Sequence, residues 1–142
     1  MTLILEKELS DILESIYSKW ERGGINLPET YKLYFSAKEK YLSFDEEART
    51  QKASELILKI VFAAGKISED FVKEWQNGKL KPRDKELELL KKGCDEVLVA
   101  FDNHFKKELL AYQKKPYDIH HSEVKEKIRR IRKLIDAELA TI

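Results

Sequence analysis

The sequence predicts an all-α protein, an antiparallel up-and-down bundle of four to five helices. Apolar residues recur every three or four positions in five blocks, and none of the blocks alternates strictly as a half-buried strand would. Charged residues make up 37% of the chain, whereas glycine and proline occur only five and three times, a balance typical of long solvated helices. The predicted helices span about 3–22, 27–42, 44–77, 83–114 and 119–141.

The first two helices are bounded by recognisable start and stop signals. The apolar stripe of the first runs over 5–20 in steps of three and four residues, and it stops at the glycine pair 23–24. The second opens at Asn26, an N-cap residue, with Pro28 in its first turn and Glu29 three residues after the cap. These signals predict a short corner between two antiparallel helices.

The third helix is predicted to lie at the centre of the bundle. A capping-box pattern at 43–46 predicts that it starts at a sharp corner after the second helix. Its apolar stripe over 53–75 keeps its phase, so we expect the helix to continue through Gly65, although glycine costs about 1 kcal/mol relative to alanine. A restart at Ser68 is the alternative. Nearly every position over 56–64 is apolar, which is typical of a helix surrounded by others.

The fourth and fifth helices carry equally regular stripes. The fourth starts near Pro82, places apolar residues over 87–112 and ends at Pro116. The fifth stripe runs over 124–142. The third and fourth helices would each contain about 30 residues and measure roughly 45 Å, so they are expected to form a central hairpin.

Size and composition predict one soluble domain over residues 1–142. A chain of this length can bury a sufficient core without a metal or a disulfide, and the single cysteine, Cys94, lies on an apolar stripe and is interpreted as a small core residue. The longest uncharged apolar run, 60–65, is too short to cross a bilayer, and the first residues lack the apolar stretch of a signal peptide. We therefore expect a cytoplasmic protein that does not contact membranes.

The sequence contains no recognised pattern for catalysis or for a cofactor. It lacks a nucleophile elbow, a phosphate-binding glycine loop and the Glu-x-x-His unit of carboxylate-bridged metal sites. Asp118, His120 and His121 carry metal-ligating side chains, but we interpret this group as a polar turn that caps the last helix. We expect neither a cofactor nor an enzymatic activity.

His104 is expected to face solvent on the fourth helix, with Lys107 three residues later. In this pair the sequence is similar to histidine phosphotransfer domains, small four-helix bundles with an exposed histidine in mid-helix and a lysine three residues on. The resemblance implies a phosphoryl-accepting His104. It covers two positions only, because Glu108 stands where the family favours glycine and Lys106 where it favours an apolar residue. A carboxylate at 108 would also repel an incoming phosphoryl group.

A basic stripe on the fifth helix is one candidate binding surface. Its members are Lys125, Arg129, Arg132 and Lys133. At 100° per residue these side chains project outward while Ile128 and Ile131 stay on the buried side. Such a stripe can bind the phosphates of nucleic acid or an acidic protein, and a plain solvated helix face is the other interpretation.

The aromatic residues of the second helix are the other candidate surface. They are Tyr31, Tyr34, Phe35 and Tyr41. Together with Tyr17 and Trp20 on the preceding helix, they are more than one short helix can bury on a single side. They form either a core stripe or a face that binds another protein or a second copy of this chain. The sequence thus favours a protein–protein interaction or structural module, with nucleic-acid or phosphate binding as the alternative.

Overall fold

The computed structural model describes residues 2–23, 27–79, 81–108 and 121–140, and all regular secondary structure within these ranges is helical. The α-helices are α1 (Thr2–Gly23), α2 (Leu27–Ser43), α3 (Gln51–Gln76), α4 (Asp84–Val99) and α5 (His121–Leu139). A 3-10 turn over Glu46–Ala48 precedes α3, and a π-helical turn over Ala100–His104 follows α4. The predicted all-α fold class is confirmed. Within the described ranges, no helix has both the length and the apolar character needed to cross a bilayer.

Ion pairs at both ends of α1 and α2 show that these two helices are antiparallel. Lys19, near the end of α1, pairs with Glu29 in the first turn of α2. Glu8, near the start of α1, lies 3.7 Å from Lys40, near the end of α2. The short corner predicted between them is therefore consistent with the observed packing.

Two tyrosine hydroxyls fix the directions of α2 and α3 relative to each other. Tyr31, early in α2, hydrogen-bonds Ser68, late in α3, at 2.6 Å. Tyr41, late in α2, hydrogen-bonds Ser54, early in α3, at 3.0 Å. The two helices are thus antiparallel, and because α1 is also antiparallel to α2, α1 and α3 run parallel.

The central position predicted for the third helix is confirmed. α3 packs against α1, α2, α4 and α5. It continues through Gly65, which is buried, and it does not restart at Ser68. A glycine inside a buried, in-phase helix is tolerated because the packing of its neighbours outweighs the loss in helix propensity.

α3 starts later than the capping-box pattern at 43–46 predicts. Its N-cap is Thr50, whose hydroxyl oxygen accepts a hydrogen bond from the Ala53 amide at 3.1 Å. The Ser43 hydroxyl instead donates to the carbonyl of Lys40 at 2.9 Å and so belongs to the end of α2. Thr50 can replace Ser43 as the cap because both residue types satisfy the free amides of a first turn.

The fourth helix is interrupted by a π turn, which the continuous apolar stripe did not predict. The amide of Phe105 donates to the carbonyl of Ala100, five residues earlier, at 2.7 Å. The extra residue rotates the following positions by about 100°. Beyond the turn, Phe105 packs edge-on against Tyr41 of α2 at a centroid distance of 5.6 Å, and Glu108 accepts a hydrogen bond from the Tyr41 hydroxyl. The helix resumes over 106–108, and the rest of the predicted range, 109–114, lies outside the described residues.

Tyr31 joins three helices in the core. Its ring crosses α4 at Gly93, where an added Cβ would lie under 3.0 Å from the outer ring atoms. At this same end of the ring, the hydroxyl meets Ser68, whose own proton is donated to the carbonyl of Ala64 at 2.9 Å. Tyr31 is therefore the donor to Ser68. This hydrogen bond fixes the position of the ring, and Gly93 leaves the space that the ring occupies.

Candidate functional site

The tyrosines of the predicted aromatic face lie in the core. Tyr31, Tyr34 and Tyr41 are buried, so their rings present no surface to a partner in this fold. Phe35 is only partly buried, but its ring is covered by two cations, the Nζ atoms of Lys38 and Lys92, at 5.3 and 5.6 Å from the ring centroid. The structure thus favours the core interpretation of this stripe.

The hydroxyl of Tyr34 has no hydrogen-bond partner within the described part of the chain. Burial raises the pKa of this phenol, and the nearby charge of Glu96 raises it further, so the group stays neutral at physiological pH. A buried hydroxyl without a partner destabilises a fold by about 1–3 kcal/mol. The hydroxyl is therefore an unpaired polar group in the described core.

The basic stripe on α5 is partly neutralised by carboxylates. Nε of Arg132 donates to Asp95 of α4 at 2.7 Å, and the same guanidinium pairs with Asp136. The Arg132 side chain is 23% exposed. The two carboxylates neutralise this guanidinium and repel a phosphate, so Arg132 holds α5 against α4.

The other members of the stripe are divided between paired and unpaired cations. Arg129 lies 4.0 Å from Glu126, at the weak limit of an exposed ion pair. Lys133 is exposed and forms no ion pair with a described residue, whereas the side chain of Lys125 lies outside what the structure describes. Phosphate binding through these residues therefore stays a prediction. Fewer of the described cations are unpaired than the sequence suggests.

Of the three histidines, only His104 has its side chain in the described part of the chain. His104 lies in the π turn, half-buried, with its ring tilted against Phe105 at a centroid distance of 6.2 Å. This differs from the solvent-facing, mid-helix position expected from the phosphotransfer resemblance. His121 begins α5, but its side chain, like all of Asp118 and His120, lies outside the described residues. Among the side chains that are described, no three metal-ligating groups converge.

Cys94 is a core residue, as predicted. The side chain is fully buried in α4, and burial, together with the charge of Asp95, raises the pKa of its thiol to about 12. A thiol that stays protonated at neutral pH is neither a nucleophile nor a metal ligand.

A polar cluster that the sequence analysis missed lies where the end of α2, the start of α3 and the π turn meet. The hydroxyl of Tyr41 donates to the Glu108 carboxylate at 2.9 Å, so the Ser54 hydroxyl must donate to Tyr41. A cavity of about 180 Å³ lies beside these three groups. Burial raises the pKa of Tyr41, and the phenol remains a hydrogen-bond donor.

Arg49 closes this cluster by capping α2. Its Nε donates to the carbonyls of Tyr41 and Phe44 at 3.1 and 3.0 Å, and one terminal nitrogen donates to the carbonyl of Leu42 at 3.0 Å. The guanidinium also lies 5.2 Å from the centroid of the Tyr41 ring. Arginine satisfies the last carbonyls of a helix in this way. Because these polar groups hydrogen-bond one another, the cluster connects α2, α3 and the segment after the π turn.

An exposed aromatic pair lies on α1. The rings of Tyr17 and Trp20 are stacked, with centroids 6.2 Å apart and an interplanar angle of 23°. Tyr17 is 41% exposed, and Trp20 and the neighbouring Leu13 are half-buried against the core. These three residues are called the α1 aromatic strip. The exposed aromatic side chain is thus Tyr17 of α1, whereas the tyrosines of α2 are buried.

The α1 aromatic strip lies on the side of α1 that faces α3. Glu6, Leu13 and Trp20 are seven residues apart, so they follow one line along the helix. Glu6 accepts a hydrogen bond from the Thr50 hydroxyl at 2.6 Å, which places this line beside the start of α3. Tyr17 lies next to the same line, on its solvent side.

The open side of α3 carries a column of lysines. Its members, each seven residues from the next, are Lys52, Lys59, Lys66 and Lys73. Ser54, which faces α2, is two residues from Lys52 and therefore about 200° around the helix from it. The lysine column thus points away from α2, between α1 and α5, and at its far end Lys73 shares a cavity of about 390 Å³ with Arg130 and Leu134 of α5.

The two halves of the lysine column differ in their ion pairs. Lys66 lies 3.9 and 3.6 Å from Glu69 and Asp70, and Lys73 lies 3.2 Å from Glu69. Lys52 and Lys59 form no ion pair with a described residue.

Scans against protein-family models, curated proteins and solved structures found no match to this chain.

Proposed function

We propose that this protein is a helical module that binds another protein through the α1 aromatic strip. The observation that carries the proposal is the exposed ring of Tyr17, stacked on the half-buried Trp20. Tyrosine and tryptophan are the residues most enriched in the energetically dominant parts of protein interfaces. Each combines a large apolar surface with a polar atom that can hydrogen-bond at the rim of an interface.

The side chains of the α1 aromatic strip are also preorganised for binding. Trp20 and Leu13 pack against the core, and Tyr17 is held against the indole, so few rotamers remain to be lost on association. Among the described residues, the other large hydrophobic side chains with high exposure are aliphatic, namely Ile4, Leu42 and Val99. Single aliphatic side chains are common on protein surfaces and carry less weight in this argument.

A photo-crosslinking amino acid at position 17 tests the proposal in cells. The matched control carries the same amino acid in place of Lys85, an exposed residue of α4. We expect a discrete protein adduct from position 17 that is absent from position 85, whether the captured protein is another chain or a second copy of this one. Equal adducts from both positions, or an adduct at position 17 that nuclease removes, would contradict protein binding through α1.

A further inference from the structure

We infer that the partner is an acidic amphipathic helix, which lies in the groove between α1 and α3 and pairs its carboxylates with the lysine column. The inference rests on the proposed function and adds the chemistry of the partner. Its basis is that an apolar strip and a row of cations run side by side along two parallel helices.

The strip and the column lie at matching heights in the bundle. Because α1 and α3 are parallel and Glu6 lies beside Thr50, residues of α3 are level with residues of α1 numbered about 44 lower. Lys59 and Lys66 are then level with positions near 15 and 22 of α1. The stacked pair of Tyr17 and Trp20 therefore lies between the levels of these two lysines, and the groove has one apolar and one cationic wall.

The spacing of the column fits a helix. Seven residues of an α-helix rise about 10.5 Å, so the lysines repeat at the distance that separates every seventh residue of a partner helix lying alongside. Each heptad of the partner can then place apolar residues on the α1 aromatic strip and one carboxylate on the column. Lys52 and Lys59 are available for such pairs, since neither forms an ion pair with a described residue.

Nucleic acid fits this face less well than a helix does. Duplex DNA carries one negative charge per about 1.7 Å of its axis, so it presents a continuous row of charge rather than one charge per 10.5 Å. Glu55 and Asp70 lie within the length of the column and repel such a row, whereas a helix can place its carboxylates between them. The formal net charge of the chain, +1, also adds no long-range attraction for a polyanion.

A peptide titration tests this inference, with Trp20 as the reporter. The chain has two tryptophans, so the Trp75→Phe background leaves Trp20 as the only one. The probe is a designed peptide of about 21 residues, free of tryptophan and tyrosine, with leucines at helical spacing and a glutamate at every seventh position. Two matched peptides carry glutamine or lysine in place of the glutamates.

We expect saturable binding of the glutamate peptide, seen as a shift of Trp20 fluorescence. The Lys52→Glu/Lys59→Glu variant should weaken it roughly tenfold, because two favourable pairs become repulsive. The control variant Lys81→Glu/Lys85→Glu makes the same charge change at two exposed lysines beside the start of α4 and should change the affinity by less than about twofold. The lysine peptide should bind the Lys52→Glu/Lys59→Glu variant better than it binds the unmodified column.

The contrary outcomes separate the inference from the proposed function. If the glutamine peptide binds as tightly as the glutamate peptide and Tyr17→Ala weakens both, the acidic class is overturned while protein binding through α1 stands. If no peptide shifts Trp20 fluorescence, or Tyr17→Ala leaves binding unchanged, the inference and the role of the strip both fail. Tighter binding of a DNA duplex that depends on Lys52 and Lys59 would also overturn it, in favour of nucleic acid.

Discussion

Replacing Gly93 by alanine tests how tightly α2 and α4 are packed. In an exposed helix this change would stabilise the protein, because alanine has the higher helix propensity by about 1 kcal/mol. Here the new methyl group would overlap the ring of Tyr31, which packs directly on Gly93. The ring has little freedom to move away, since its hydroxyl is bonded to Ser68 at 2.6 Å. We therefore expect Gly93→Ala to destabilise the fold.

The magnitude follows from the groups that must shift. Overfilling a packed core costs about 1–3 kcal/mol. If the ring moves instead, the Tyr31 hydroxyl loses Ser68 and becomes a buried donor without an acceptor, which costs about 1–3 kcal/mol. After the gain in helix propensity of about 1 kcal/mol is subtracted, the free energy of unfolding should fall by up to about 2 kcal/mol.

Urea denaturation followed by circular dichroism measures this change, and a second background supplies the control. In the Tyr31→Leu variant the outer ring atoms are absent, so adding alanine at 93 should no longer destabilise and is expected to stabilise by up to about 1 kcal/mol. The reasoning is refuted if Gly93→Ala stabilises the protein with Tyr31 present, or if its effect is the same in both backgrounds.

Three further predictions concern a buried hydroxyl without a partner, the N-cap of α3 and the buried thiol of Cys94. Tyr34→Phe should raise the free energy of unfolding by about 1 kcal/mol because it removes a buried hydroxyl without a partner, whereas Tyr31→Phe should lower it by about 1 kcal/mol; urea titrations of both variants check the contrast. Thr50→Ala should cost about 1 kcal/mol through loss of the α3 cap, and Ser43→Ala less than about 0.5 kcal/mol, so equal thermal shifts would contradict the assigned start of α3. The raised pKa of the Cys94 thiol, about 12 against an ordinary 9.0, means that the unfolded state loses its proton first, so stability should fall as pH rises from about 9 towards 12. A Cys94→Ala variant lacks this contribution, and an equally steep fall in that variant would show that other groups are responsible.

The polar cluster beside the π turn shows why the site residues were harder to predict than the helices. Glu108 lies 67 residues after Tyr41, and although Arg49 and Ser54 are closer in the chain, they belong to other segments and no spacing rule joins them. The same holds for Arg132, which reads as part of a basic stripe but pairs with Asp95 of another helix. A side chain's partner across an interface depends on the packing of whole helices, which local periodicity does not contain.

The sequence by itself determined the fold class, the central position of α3 and the burial of Cys94. These properties follow from apolar residues repeated at helical spacing, a signal carried by near neighbours in the chain. The tertiary structure alone decided that α3 continues through Gly65, that the tyrosines of α2 are core while Tyr17 stays exposed, that Thr50 rather than Ser43 begins α3, and that Glu108 bonds Tyr41. Each of these depends on which helices surround a residue, because burial and hydrogen-bond partners are set by contacts between segments far apart in the chain.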